Sequence, residues 1–164
     1  MIIENLNKSL LINTLLTFFI FLLDRISKIY VINLDDKFLG SEIFSSKYLN
    51  IFLVWNEGIA FGLFSFDDKY FYNILTFLIG IVIIIIIFMI RKNKNCKRIS
   101  LIMILGGALG NFYDRIFFNA VPDFIDFHIG NYHWFVFNVS DIFITLGVIF
   151  MIILEFIDNN KYAK

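Results

Sequence analysis

Two aspartates, Asp123 and Asp141, are of a type and placement that could share acid–base work. Two carboxylates brought close together cannot both ionise cheaply, so one keeps a proton while the other stays charged. The charged member can then activate a water, and the protonated member can hydrogen-bond a scissile carbonyl. That is aspartic-peptidase chemistry, and it needs neither a metal nor a nucleophilic side chain. Each residue also has a plainer reading. Asp141 suits a helix N-cap or first turn, where the helix dipole favours an acid, and Asp123 suits a loop. Spacing alone does not show that the two meet.

Other polar residues in apolar surroundings join them as candidates. Asp24 and Lys28 are four apart, so on a helix they share a face and can pair, which makes both charges tolerable in apolar surroundings. Asn111, Asp114 and Arg115 close a glycine-containing apolar run; adjacent Asp114 and Arg115 point in different directions on a helix and suit hydrogen bonds to loops or a substrate backbone. Gly106, Gly107 and Gly110 permit close helix approach, and packing is sufficient to explain them. His128 and His133 are the two histidines, with no cysteine near them, and zinc catalysis would need a third ligand that the sequence does not supply. No metal or other cofactor is therefore expected. Ser140 lacks a histidine or lysine base and reads as a bystander.

The elements that must position these residues are mostly membrane helices. The chain has 164 residues, 59% of them hydrophobic and only 17% charged, with a mean hydropathy of +0.79. A soluble domain this short has too little interior to hide such an excess, whereas lipid can take it. Four segments approach the roughly 20 residues that cross a hydrocarbon core: 9–31, 70–90, 99–118 and 141–157. Within the first, Leu10 to Leu23 could pass for the apolar part of a secretory leader, but Asp24-Arg25-Ile26-Ser27-Lys28 follows that stretch rather than a small-residue cleavage site, so a retained helix is expected. Arg91, Lys92, Lys94, Lys97 and Arg98 crowd the turn between the second and third helices, which places that turn, and with it both termini, in the cytoplasm. The polar candidates then collect at the opposite, outer interface, where ionisable residues in a membrane protein usually signal function. Two outer segments are rich in aromatic residues. Residues 48–55 read as a strand or interfacial element, and 123–138 as two short strands around Gly130-Asn131, with Phe124, Asp126 and His128 on one face and Ile125, Phe127 and Ile129 on the other. The expected fold is a membrane all-α core of four transmembrane helices with a small extracytoplasmic β-rich platform, built as one domain over 1–164. Balanced charge, 14 basic against 14 acidic residues, gives no reason to expect nucleic acid as a partner. The single cysteine, Cys96, cannot form an internal disulfide.

Five blocks in this order resemble lipoprotein signal peptidases, the signal peptidase II family, over nearly the whole chain. They are Asp24-x-x-x-Lys28; Asn56-Glu57-Gly58-Ile59-Ala60-Phe61-Gly62; Gly106-Gly107-Ala108-Leu109-Gly110-Asn111-Phe112-Tyr113-Asp114-Arg115; Val121-Pro122-Asp123-Phe124-Ile125-Asp126-Phe127; and Phe137-Asn138-Val139-Ser140-Asp141. The resemblance implies an aspartic endopeptidase of the bacterial inner membrane, working at its outer face, that removes signal peptides from diacylglyceryl-modified prolipoproteins just before the lipidated cysteine. By motif position it implies Asp123 and Asp141 as the catalytic pair. It implies Asn56, Asn111, Arg115 and Asn138 in substrate or inhibitor contact and site support, and Asp24, Lys28 and Asp114 in holding the architecture. Susceptibility to globomycin-type cyclic peptides is likewise implied. Ser140, Glu57 and Pro122 depart from the commonest residues at their positions without replacing a candidate catalytic group. A monomer in contact with membrane lipids is expected. The rival readings are a small transporter or proton conductor with Asp24, Asp114 and Asp141 as a relay, and a purely structural membrane subunit. Transporters place polar groups near the midplane of repeated halves, whereas this chain shows no repeat.

Overall fold

The computed structural model describes residues 2–58 and 69–162. Residues 59–62 of the Asn56–Gly62 block fall outside that set. The chain runs α1 (Ile2–Phe38), β1 (Phe44–Ser45), β2 (Leu49–Asn56), α2 (Lys69–Lys92), α3 (Asn95–Phe118), β3 (Val121–Ile129), β4 (Tyr132–Phe137) and α4 (Val139–Tyr162). Among the described residues, three helical stretches are long and apolar enough to cross a membrane: Tyr72–Lys92, Asn95–Phe118 and Val139–Asp158.

The helices expected at 9–31, 70–90, 99–118 and 141–157 are all present, and all but the third gain residues at both ends. The largest gain is in α1. Nothing between Leu10 and Phe38 breaks a helix, because neither proline nor glycine intervenes, so the charged Asp35-Asp36-Lys37 run stays helical. The helix stops where Leu39 (φ 53°) and Gly40 (φ 76°) turn left-handed, and the Gly40 N–H donates to the Asp35 carbonyl at 3.2 Å.

Helix α3 is the hub, packed on α1, α2 and α4. Ile83, Ile86 and Ile90 form a helical stripe on α2 that meets Leu101, Ile102 and Leu105 of α3, with Ile20 of α1 closing the cluster. Lipid offers apolar groups nearly as good a home as a neighbouring helix does, so association depends on closeness of fit. The glycines supply it. A Cβ on Gly106 would lie 2.7 Å from Ile20 Cβ, and one on Gly147 of α4 would lie 2.7 Å from Ile104 Cγ1. The opposite faces carry a broad apolar belt, including Phe77, Leu78, Phe88, Phe150 and Phe156, all exposed. A belt of that extent marks a lipid-facing surface.

The four strands form one antiparallel sheet in chain order. β2 pairs with β3 through Asn56↔Val121, Val54↔Asp123 and Asn50↔Asp126, with an irregularity between Ile51 and Val54. β3 and β4 make the expected hairpin around Gly130 (φ 60°) and Asn131, with Ile129 opposite Tyr132. Phe127 and Ile129 are exposed while Phe124 and Asp126 are buried, in accord with the expected division of faces. β3 begins directly after α3, whose end is turned by Asn119 in the left-handed region. β4 leads directly into α4. The sheet therefore sits at one end of α3 and the basic turn at the other.

Candidate active site

The end of α3 nearest the sheet carries a row of small and polar residues one helical turn apart: Gly107, Gly110, Asn111 and Asp114. Beside Gly110 the neighbouring helices come in closely, since a Cβ there would collide with Ser140 Oγ of α4 and Asp24 Oδ2 of α1. Glycine thus brings an acid of α1, the start of α4 and the polar face of α3 together.

The first result of that approach is a buried ion cluster. Asp114 accepts from Arg25 Nη1 at 2.6 Å on one oxygen and from Lys28 Nζ at 2.7 Å on the other. Asp24 meets Arg25 Nη2 at 2.8 Å and Lys28 Nζ at 3.0 Å, the pairing expected from the spacing of Asp24 and Lys28. The Ser140 backbone N–H, in the first turn of α4, donates to Asp24 Oδ1 at 3.0 Å. Two acids and two bases cancel, and burial of each charge is compensated by a partner. Arg25 is a member that sequence reasoning misses, although three ionisable residues within five positions of an apolar helix are a signal. Its guanidinium lies over the Tyr113 ring, 4.8 Å from the centroid.

The second result is the placement of Asp123 and Asp141. Lys28 also donates to Asn111 Oδ1 at 2.9 Å. An ammonium only donates, so the Asn111 amide must turn its NH₂ outward, and Nδ2 donates to Asp141 Oδ1 at 2.7 Å. Asn138 caps α4 reciprocally. Its Oδ1 accepts from the Asp141 N–H at 3.1 Å, and its own N–H donates to Asp141 Oδ2 at 3.1 Å. This is a capping box with aspartate at the third helical position, so the plain first-turn reading of Asp141 holds as local structure. It also orients Asn138 so that Nδ2 donates to Asp123 Oδ1 at 2.6 Å. Asn56 completes the set, with Nδ2 on Asp123 Oδ2 at 2.8 Å and its Oδ1 held by the Gly58 N–H at 2.9 Å.

The two aspartates are thus brought to either side of one residue, Asn138, and each carboxylate accepts two hydrogen bonds from amides. Asp123 is buried at 3% exposure, while Asp141 is partly buried. Burial first, and the nearby Asp141 charge second, push the Asp123 carboxyl up to about 6, against the opposing hydrogen bonds of Asn56 and Asn138 and the charge of Lys28. Arg115 turns away from Asp114 and donates to the Asn111 carbonyl at 3.2 Å and the Gly58 carbonyl at 3.3 Å. Every residue singled out around the pair (Asn56, Asn111, Asp114, Arg115, Asn138, Asp24 and Lys28) belongs to this one connected network. Ser140, read as a bystander, is fully buried and serves through its backbone.

Elsewhere on the sheet, the histidines do find a third neighbour. Register pairs His128 with His133 and sets Asp126 beside them, with His133 Nδ1 2.8 Å from Asp126 Oδ2.

A family model described as signal peptidase (SPase) II matches residues 16–157. The lipoprotein signal peptidase of Pelagibacter ubique (strain HTCC1062) is 51% identical over 154 residues, covering 94% of this chain and 93% of the relative. That of Anaplasma marginale (strain Florida) is 35% identical over 156 residues, covering 94% and 89%. A solved structure described as that of a bacterial membrane enzyme superposes with a TM-score of 0.74 at 29% identity, covering 91% of this chain and 90% of that one.

Proposed function

Since this chain belongs to the signal peptidase II family, we propose that it is an aspartic endopeptidase with Asp123 and Asp141 as its catalytic pair. It removes the signal peptide from diacylglyceryl-modified bacterial prolipoproteins, cleaving before the lipidated cysteine. One observation carries the mechanism: two carboxylates flank Asn138, held by amides rather than by cations. Amides fix direction without supplying a formal charge, so the pair is free to hold one proton between its two members. The charged member takes a proton from water as that water attacks the scissile carbonyl. The protonated member donates to the carbonyl oxygen, and a proton passes to the leaving amine as the C–N bond breaks. Asn56, Asn111 and Asn138 keep both carboxylates aimed, and Arg115, bridging α3 to Gly58, steadies the site's edge and meets substrate backbone. Asp24, Arg25, Lys28 and Asp114 lock α1, α3 and the start of α4 beneath it.

The site lies at the outer face of the inner membrane. Helix α3 has 24 residues, about 36 Å at 1.5 Å per residue, which exceeds a hydrocarbon core of roughly 30 Å. Its basic end belongs in the cytoplasm by the positive-inside rule, so the aspartates and sheet emerge outside. α1 is the fourth span. Exposed Leu10, Leu11, Leu15, Phe18, Phe19 and Leu22 give it an apolar flank, and its Asp24, Arg25 and Lys28 charges are balanced with the help of Asp114 from α3. Both termini then lie in the cytoplasm. Trp55, Tyr132 and Trp134 are exposed on the sheet, where amphipathic rings suit the headgroup layer and could cover a diacylglyceryl group. One domain over 1–164, acting as a monomer and sensitive to globomycin-type inhibitors, completes the reading.

The test is cleavage of a diacylglyceryl-modified prolipoprotein peptide by purified protein beside Asp123→Asn and Asp141→Asn. Both folded variants are expected to lose about a hundredfold or more. Cleavage that survives in either one removes that aspartate from the pair, and no cleavage by a folded parent returns the proton-conductor reading.

A further inference from the structure

About 10 Å along β3 from Asp123, at roughly 3.4 Å per residue, Asp126 is buried at 2% exposure. A buried carboxylate is costly unless a cation or several donors face it. Among the described residues its ion-pair partners are two histidines: His133 Nδ1 at 2.8 Å and His128 Nδ1 at 3.8 Å, both measured to Oδ2. Asn50 Nδ2 adds a long hydrogen bond to the same oxygen at 3.3 Å. His128 Nδ1 is itself buried and has no hydrogen-bond partner. The two rings stack, with centroids 4.9 Å apart and planes 19° from parallel.

One polar atom of this group is left over: His128 Nδ1 lies 3.8 Å from Asp126 Oδ2, too far for a hydrogen bond, and has no other hydrogen-bond partner among the described residues. A divalent cation placed between the three residues would oppose the Asp126 charge and take a lone pair from each Nδ1. We propose that Asp126, His128 and His133 form a binding site for a zinc-like transition metal ion. The three residues offer ligand atoms within 4.8 Å of one another. Donors about 2.1 Å from a tetrahedral zinc lie about 3.4 Å apart, between the 2.8 and 3.8 Å separations seen here. His133, half exposed on β4, is free to make the small adjustment. Imidazole and carboxylate together favour zinc-class ions over magnesium or calcium. Behind the ligands, Asn50 braces Asp126 and is itself held by Ser45 Oγ at 2.9 Å, the kind of support that outer neighbours give metal ligands. Water fills the fourth position. The ion ties β3 to β4 at the far end of the hairpin and takes no part in the aspartate chemistry.

The experiment is zinc titration by calorimetry of chelator-treated protein in detergent, purified without a histidine tag, with cobalt absorption as a second readout. One equivalent per chain is expected, with visible bands of four-coordinate cobalt. His133→Ala, whose side chain is half exposed and poses little risk to folding, should weaken binding tenfold or more, and His128→Ala should do the same. Asp123→Asn should leave binding intact. Absence of stoichiometric binding, or binding unchanged in His133→Ala and His128→Ala, overturns the site. Binding abolished by Asp123→Asn would move the ion to the aspartate pair and overturn it as well.

Discussion

Asp24 and Asp114 on one side, Asp123 and Asp141 on the other, are neighbouring pairs of acids at the same end of the bundle, yet they are held differently. The first pair faces Arg25 and Lys28 at 2.6–3.0 Å and is neutralised on the spot. The second faces Asn56, Asn111 and Asn138, and Lys28 is linked to it by hydrogen bonds through the Asn111 amide. A neutral amide donor favours a charged carboxylate less strongly than a contacting cation does. The same side chain is thus charge-paired in one place and held by amides in the other, and in the proposed mechanism it is the amide-held pair that reacts.

The contrast breaks most sharply at Asp114. Asp114→Ala leaves Arg25 and Lys28 with Asp24 alone between them, one buried positive charge uncompensated, and breaking a buried pair in this way costs about 3–5 kcal/mol. Thermal unfolding in detergent should show a lowered midpoint, whereas an unchanged midpoint would mean the cluster is not structural. Asn111→Ala probes the link between the pairs. It removes one donor to the Asp141 carboxylate, a charge-assisted bond worth about 1.5–3 kcal/mol, so kcat should fall about tenfold or more with KM little changed. A change confined to KM would make Asn111 a substrate contact instead. The smallest effect concerns pH. With its carboxyl raised to about 6, Asp123 keeps its proton below that pH and loses it above. In the proposed mechanism the singly protonated pair is the working form, so kcat/KM should decline as pH rises through 6 and be about fivefold lower at pH 7 than at pH 6. A profile flat from pH 5 to 8 would detach the reaction from the Asp123 proton.

Local pattern is enough to read the helices, the hairpin and the Asp24–Lys28 pairing, because 3.6-residue and two-residue periods and an i,i+4 spacing are written along the chain. Helix ends are less legible. α1 outruns its apolar segment because a polar residue does not stop a helix, whereas a left-handed turn at Leu39 and Gly40 does. Arg25 escapes notice because, next to Asp24, it points elsewhere on a helical wheel, yet its long guanidinium swings back to α3. Motif order implies that Asp123 and Asp141 meet, but spacing does not require it, since the meeting depends on Asn138 facing both. Asp126 and its histidines are harder still. Sequence separates Asp126 from His133, and only the β3–β4 register, with its irregularity between Asp126 and His128, brings them together.

The reciprocal cap between Asn138 and Asp141 reaches beyond catalysis, into how this protein could evolve under an inhibitor. Asn138 is wholly buried and spends its amide and its backbone N–H on both acids and on the start of α4 at once. Serine there would cap the helix but leave Asp123 without that donor, and aspartate would add a third carboxylate beside two. On the proposed reading, a compound that recognises the separation of the two carboxylates therefore measures a dimension set by Asn138, and shifting the pair apart would also cost α4 its reciprocal cap.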